Sequence, residues 1–234
     1  MITTPEIQPD TTQWFNQRGP DGGPIYTETN FEHLIAEPWN MVSSLLAMIP
    51  AIYFLFKIRK EISSYRFLFW GIVLIMLASV GSTLYHGFRS SVVFLIMDIV
   101  PIVIFMIALS IYFWLKVLKK WWYVLFILIP FFGIRPLMFY TMPEHLAINI
   151  GYGLSGLLIV VPAVWYLKKS GWKYGRIILY AVIFFLAALF FRQADAFEPP
   201  LLPVGTHFLW HVLSAFGTYF ILLYLYRRRK LELS

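Results

Sequence analysis

Two histidines four residues apart, His207 and His211, open the last long apolar run of this sequence. In a helix that spacing advances about 6 Å and returns to nearly the same face, so the two imidazoles stack at a separation one metal ion can bridge. His86 closes an earlier apolar run, Ser82 precedes it by one turn, Asp98 lies in the next run and Glu37 opens the first. Ionisable groups inside spanning helices cost several kcal/mol, which makes each of these a functional candidate. Three neutral imidazoles and a water form a tetrahedral site with one open position, the pattern of catalytic rather than structural zinc. Zinc in such a site lowers the pKa of water toward 7 and supplies a nucleophile where free hydroxide is scarce, which is the chemistry of hydrolysis. Asp98 then serves as general base or water-orienting group, and Ser82 as hydrogen-bond donor to the oxyanion on the attacked carbonyl. Plainer roles stand beside these. The histidine pair can be a hydrogen-bonded core feature, Ser82 a small packing residue within Ala78-Ser79-Val80-Gly81-Ser82, and Asp98 a partner that fixes a histidine tautomer.

Such residues need a scaffold that carries them into a bilayer. Of the 234 residues 59% are apolar and 13% charged, with a mean hydropathy of +0.70, whereas an ordinary soluble domain carries about 25% charged residues. Seven apolar runs have the length of about 20 residues that a helix needs to cross ~30 Å of hydrocarbon. They fall approximately at Pro38 to Phe56, Arg66 to His86, Ser91 to Leu115, Trp121 to Tyr140, Leu146 to Leu167, Tyr174 to Phe191 and Thr206 to Tyr226. The runs lack the alternation of barrel strands, so the expected fold class is all-α, a seven-transmembrane helix bundle. Arg18, Arg89, Arg135 and Arg192 stand alone in the N-terminal segment and the second, fourth and sixth connections. Every other Lys and Arg lies in the first, third and fifth connections or the C-terminal tail. The positive-inside rule therefore places the N-terminus outside and the C-terminus in the cytosol. In that topology Glu37, His86, Asp98, His207 and His211 meet in the extracytoplasmic half, with Asp98 about 10 Å deep.

The rest of the sequence narrows the classes. With no cysteine, thiolate catalysis, disulfides and cysteine-ligated metals are excluded. The net charge of +7 is explained by topology, and no nucleic-acid partner is expected. The first ~36 residues are polar and show no cleavable signal, so the chain reads as an N-terminal arm (1–36), one helical domain (37–228) and a short cytosolic tail (229–234). Trp121, Trp122, Tyr123 and Trp172 at helix ends read as interfacial belts. His33 has no partner at fixed spacing, Glu144 and His145 are expected in an outer loop, and Asp195 is expected to pair locally with Arg192.

Three blocks of this sequence resemble the alkaline ceramidases, within the superfamily that also holds adiponectin-type receptors and GPI-remodelling lipid hydrolases. They are Ala36-Glu37-Pro38-Trp39-Asn40-Met41-Val42-Ser43-Ser44, then Gly81-Ser82-Thr83-Leu84-Tyr85-His86 with Asp98-Ile99-Val100-Pro101, and His207-Phe208-Leu209-Trp210-His211-Val212-Leu213-Ser214-Ala215. The resemblance implies zinc on His86, His207 and His211, with Ser82 and Asp98 catalytic. It also implies calcium on Glu28, Asn30 and Glu37, where the arm meets the first span. The stretch between Asn30 and Glu37 is shorter than in that family, Ile25-Tyr26 replaces an acidic-aromatic pair, and the interval from His86 to Asp98 is one residue longer. The implied activity is hydrolysis of the N-acyl bond of a membrane lipid, ceramide or a ceramide-like amide, to a sphingoid base and a fatty acid. An ester hydrolase of the GPI-remodelling type is the alternative, because the same site attacks either carbonyl. A lipid-sensing receptor with structural zinc is another, although receptors of this superfamily place the N-terminus in the cytosol. Transport would distribute polar groups through the membrane depth.

Overall fold

The computed structural model describes residues 18–142 and 144–234, without the side chains of Glu144, His145 and Asn149; Glu144 and His145, expected in an outer loop, are instead the first two residues of a long helix. Seven helices are long and apolar enough to cross a membrane, as the apolar runs require. The first is broken into α1 (Pro38–Ser44), a 3-10 turn (Leu45–Ala47) and α2 (Met48–Ile58). Pro50 explains the break, since it cannot donate to the Leu46 carbonyl and its ring crowds that oxygen. There follow α3 (Arg66–Phe88), α4 (Val92–Val117), α5 (Leu125–Thr141), α6 (Glu144–Lys169), α7 (Gly175–Ala194) and α8 (His207–Leu233). The last continues as helix beyond Tyr226, carrying the basic run Arg227–Lys230.

Consecutive spans alternate in direction, so the start of α1, the end of α3, the start of α4, the end of α7 and the start of α8 share one end of the bundle. α3 packs along α4 and against α1 and α2, while α8 packs along α7 and against the same first span. α6 lies on α4 and barely meets α7. Proline is tolerated within these helices because neighbours satisfy the carbonyls it frees. Pro162 leaves the Leu158 carbonyl without its intrahelical donor, and Ser110 Oγ (3.0 Å) and Trp114 Nε1 (3.1 Å) of α4 donate to it instead. Pro101 likewise frees the Met97 carbonyl, and here Gly81 of α3 comes against it: a Cβ at position 81 would stand 2.2 Å from Met97 O and 2.7 Å from Asp98 N. That close approach sets where Asp98 emerges from α4.

The apolar core occupies the opposite, basic end, where Phe54, Ile58, Ile72, Phe113, Leu222 and Tyr224 are fully buried. Ile49, Trp70, Val92, Phe126 and Leu186 are more than half exposed, which in a chain this apolar marks the surface offered to lipid. The four arginines expected in the sparsely charged connections are placed more specifically than topology required. Arg135 lies within α5, Arg192 within α7, and Arg89 is buried directly after α3; among them Arg18 is the exposed one.

Candidate metal centre

His86 comes from the last turn of α3 and His207 and His211 from the first two turns of α8. Their ring centroids form a triangle with sides of 5.3, 4.9 and 4.9 Å. One ring nitrogen from each residue lies within 4.8 Å of those of the other two. Nitrogens bound to one tetrahedral zinc stand about 3.3 Å apart, given Zn–N bonds of about 2.0–2.1 Å, so a modest ring rotation brings all three onto an ion. The donor chemistry fits as well. Nδ1 of His207 and Nε2 of His211 are buried with no hydrogen-bond partner among the described residues, a state that buried nitrogens avoid unless something else occupies them.

The ring of His86 is held from behind. Its Nδ1 lies 2.5 Å from Glu37 Oε2. Glu37 also accepts from Arg89 Nη1, from Thr29 Oγ1 at 2.6 Å and from Asn40 Nδ2 at 3.1 Å. Burial by itself pushes the Glu37 carboxyl up, but His86, Arg89 and Thr29 outweigh it and hold it below the ordinary carboxylate range. An ionised carboxylate only accepts, so His86 donates from Nδ1 and its Nε2 lone pair is left for a metal, the orientation that carboxylate partners impose on ligating histidines.

The helix bearing His207 and His211 is fixed at its start by Asp195. Asp195 Oδ1 accepts from the backbone amides of Thr206 (2.6 Å) and His207 (2.9 Å), and Oδ2 from the amide of Thr27 (3.0 Å). A carboxylate there satisfies orphan amides and complements the positive end of the helix dipole. Gly205, at φ +72°, lets the chain turn into this cap, where a Cβ would lie 2.3 Å from Asp195 Oδ1. The expected local pairing of Asp195 with Arg192 is therefore corrected: the carboxylate serves backbone amides, and the Arg192 guanidinium lies 4.8 Å from the Tyr152 ring and 6.0 Å from the Trp210 ring.

Ser82 is buried one turn before His86, and its hydroxyl faces the half-buried Asp98 carboxylate without closing a hydrogen bond of standard geometry. Tyr26 of the arm stacks on His207 with ring centroids 3.8 Å apart and tilts against His86 at 5.5 Å. Burial pushes its phenol well above the usual range, so it keeps its proton. His33 is exposed and apart from this cluster.

The oxygens expected for calcium are committed elsewhere. Glu28 accepts from the amides of Trp39 (2.5 Å) and Asn40 (2.9 Å) and so caps α1. Burial pushes the Glu28 carboxyl up, against the pull of those two amides. Asn30 Oδ1 accepts from the Glu32 amide at 2.9 Å, and both Glu37 oxygens are engaged as described. A guanidinium already neutralises Glu37, so these residues do not fit a divalent cation.

Sequence reasoning overlooked Tyr26, Asp21 and Arg89 as parts of this region. The available signal was Arg89 itself, a lone cation three residues after His86 on the sparsely charged side, next to an arm with acidic residues. This chain matches no protein-family model and no curated protein sequence; what its geometry establishes is a bundle of seven long apolar helices with a buried three-histidine cluster that can hold a metal ion.

Proposed function

We propose that the protein is a zinc-dependent intramembrane hydrolase of lipid amides, cleaving the N-acyl bond of ceramide or a ceramide-like lipid to release a fatty acid and a long-chain amine. The observation that carries the reading is the convergence of three buried imidazoles from two separate spans beside a serine and an aspartate. A zinc ion on His86, His207 and His211 would supply an activated water and polarise the carbonyl. Asp98 takes a proton from the attacking water and returns it to the departing nitrogen, so that one C–O bond forms as the C–N bond breaks. Ser82, its hydroxyl free of other partners, donates to the oxygen on which negative charge develops. Tyr26 covers His207 and keeps bulk water off that side of the centre. The similarity of the three sequence blocks to alkaline ceramidases supports the amide substrate. The charge asymmetry of the connections supports a site in the extracytoplasmic half of the membrane.

The test is incubation of the purified protein in lipid nanodiscs with matched amide and ester lipids, following free fatty acid. Release from the amide that disappears on treatment with EDTA and in His211→Ala is the expected result. Release from the ester alone would redirect the assignment to a lipid esterase. Release undiminished in both controls would reject a metal-dependent hydrolase.

A further inference from the structure

Arg89 is the most heavily bonded side chain of the polar end, and none of the chemistry above uses it. It follows the last residue of α3 in the left-handed region, at φ +46°, a conformation that is unfavourable for a residue other than glycine. Its side chain is fully buried. All five of its N–H donors are directed at oxygen. Nε and Nη2 clasp the two Asp21 oxygens at 2.5 and 3.1 Å. Nη2 also donates to Pro24 O at 2.9 Å, and Nη1 donates to Glu37 Oε1 and, at 3.4 Å, to Thr29 Oγ1. Tyr85, Phe31 and Tyr26 present ring faces at 4.7, 5.6 and 5.9 Å. Two carboxylates, a backbone carbonyl and a hydroxyl around one positive centre form the kind of oxygen shell that a hard divalent cation attracts.

We infer that the Arg89 guanidinium is the resident cation of the N-terminal arm, and that it holds Glu37, one of the three residues to which the sequence resemblance assigns calcium. In this role it holds the arm on the metal centre and fixes His86 through Glu37. The chain from Arg89 Nη1 to Glu37 Oε1, and from Glu37 Oε2 to His86 Nδ1, is continuous and buried. The planar fork of Arg89 fixes the Glu37 carboxylate through Oε1, the carboxylate fixes the His86 ring through Nδ1, and the ring is thereby left with Nε2 as its atom for zinc. The same guanidinium pins the turn at Asp21–Gly23. Gly23 in that turn sits so close to Tyr85 that a Cβ would meet its hydroxyl at 2.0 Å, and the arm beyond carries Tyr26 to His207. Arg89 is thus a positioning residue. Its covalent attachment to α3 makes the arrangement independent of calcium concentration, whereas a bound ion would make arm and site respond to it.

The inference rests on the proposed zinc site but not on turnover, so the experiment reads zinc binding. Full-length protein in nanodiscs, in buffers stripped of calcium over a chelating resin before zinc loading, is compared with Arg89→Gln, Arg89→Lys and Asp21→Asn. Wild-type zinc affinity and thermal midpoint are expected to stay unchanged as calcium rises to about 5 mM, beyond the weakest class of calcium modules. Arg89→Gln is expected to weaken zinc by about tenfold or more, as loss of a ligand's hydrogen-bonded support does. Arg89→Lys, which keeps the charge but not the fork, recovers part of that loss. Asp21→Asn retains Arg89 and tests the arm if Arg89→Gln does not fold; it is expected to weaken zinc by less. A calcium-dependent rise in wild-type zinc affinity or thermal midpoint would overturn the inference. So would wild-type zinc affinity in Arg89→Gln, or in Asp21→Asn where it is the variant read. Protein that binds zinc in this Arg89-dependent way yet hydrolyses no lipid would sink the enzymatic reading and leave this one standing.

Discussion

At the basic end of the bundle the large, fully buried side chains include Phe54, Ile58, Ile72, Phe113, Leu222 and Tyr224, whereas at the other end Glu37, Asn40, His86 and Arg89 are buried as completely, beside Tyr85. The basic end is held by shape. Its aromatic rings meet over wide areas, as in the stack of Tyr65 on Tyr226 with centroids 5.5 Å apart, and its directional bonds, such as Arg228 Nη2 to the Tyr166 hydroxyl and Arg229 Nε to Ser64 O, are scattered around that packing rather than gathered on one point. The polar end is held by direction. There Glu37, Arg89 and Asp195 each serve several partners that a neighbouring residue could not replace. Packing can relax around a lost methylene, but a buried polar group that loses its partner keeps its full desolvation penalty. The consequence is a division of labour in which one end supplies stability and the other spends it on fixing three ring planes.

Substitutions that separate these contributions can break or sharpen the contrast. The largest effect on stability is expected from Phe113→Ala, which opens a void in the fully packed end and costs about 3–5 kcal/mol. It lowers the thermal midpoint while the folded fraction still binds zinc at the wild-type ratio. Loss of zinc from that folded fraction would show that the two ends are one cooperative unit. Gly81→Ala comes next, because its methyl group would collide with the Met97 carbonyl and drive α3 from α4. Overpacking of this kind costs roughly 1–3 kcal/mol. Turnover is expected to fall further than zinc affinity, since the collision lies at Met97 and Asp98 themselves, whereas His86, though also on α3, is tied to Glu37; unchanged turnover would remove Asp98 from the reaction. Asp195→Ala has the smallest expected cost in stability, about 1 kcal/mol for a lost helix cap. It nevertheless frees the first turn of α8, so a measurable drop in zinc affinity accompanies a small shift in midpoint, and equal affinity would confine Asp195 to a structural role.

Some of the polar end was legible in the sequence and some was not, and particular residues show why. His207 and His211 share a helical face by spacing alone, and the alternation of spans put His86 at the same end. Both follow from helical geometry and from chain direction across a bilayer. Asp195 was misread because its nearest charged neighbour in sequence was Arg192, while its partners in space are the amides of residues 27, 206 and 207. Arg89 was counted as a loop charge, since a tally of Lys and Arg cannot distinguish a solvated arginine from one enclosed by residues 52 to 68 positions away. The oxygens assigned to calcium were identified by type and order, and type says nothing about whether a donor has already claimed them.

What the sequence by itself determined is the helical, membrane-spanning class, the seven spans and the identity of the three histidines that can share an ion. These depend on local periodicity, on the length of apolar runs and on the cost of burying ionisable groups, all of which are read along the chain. Only the tertiary structure decided how those histidines are held: Glu37 behind His86, Asp195 beneath His207, Tyr26 across the top and Arg89 joining the arm to them. Such bonds link residues far apart in sequence, and their energy depends on distances of a few ångströms and on the exclusion of water, which no spacing along the chain encodes.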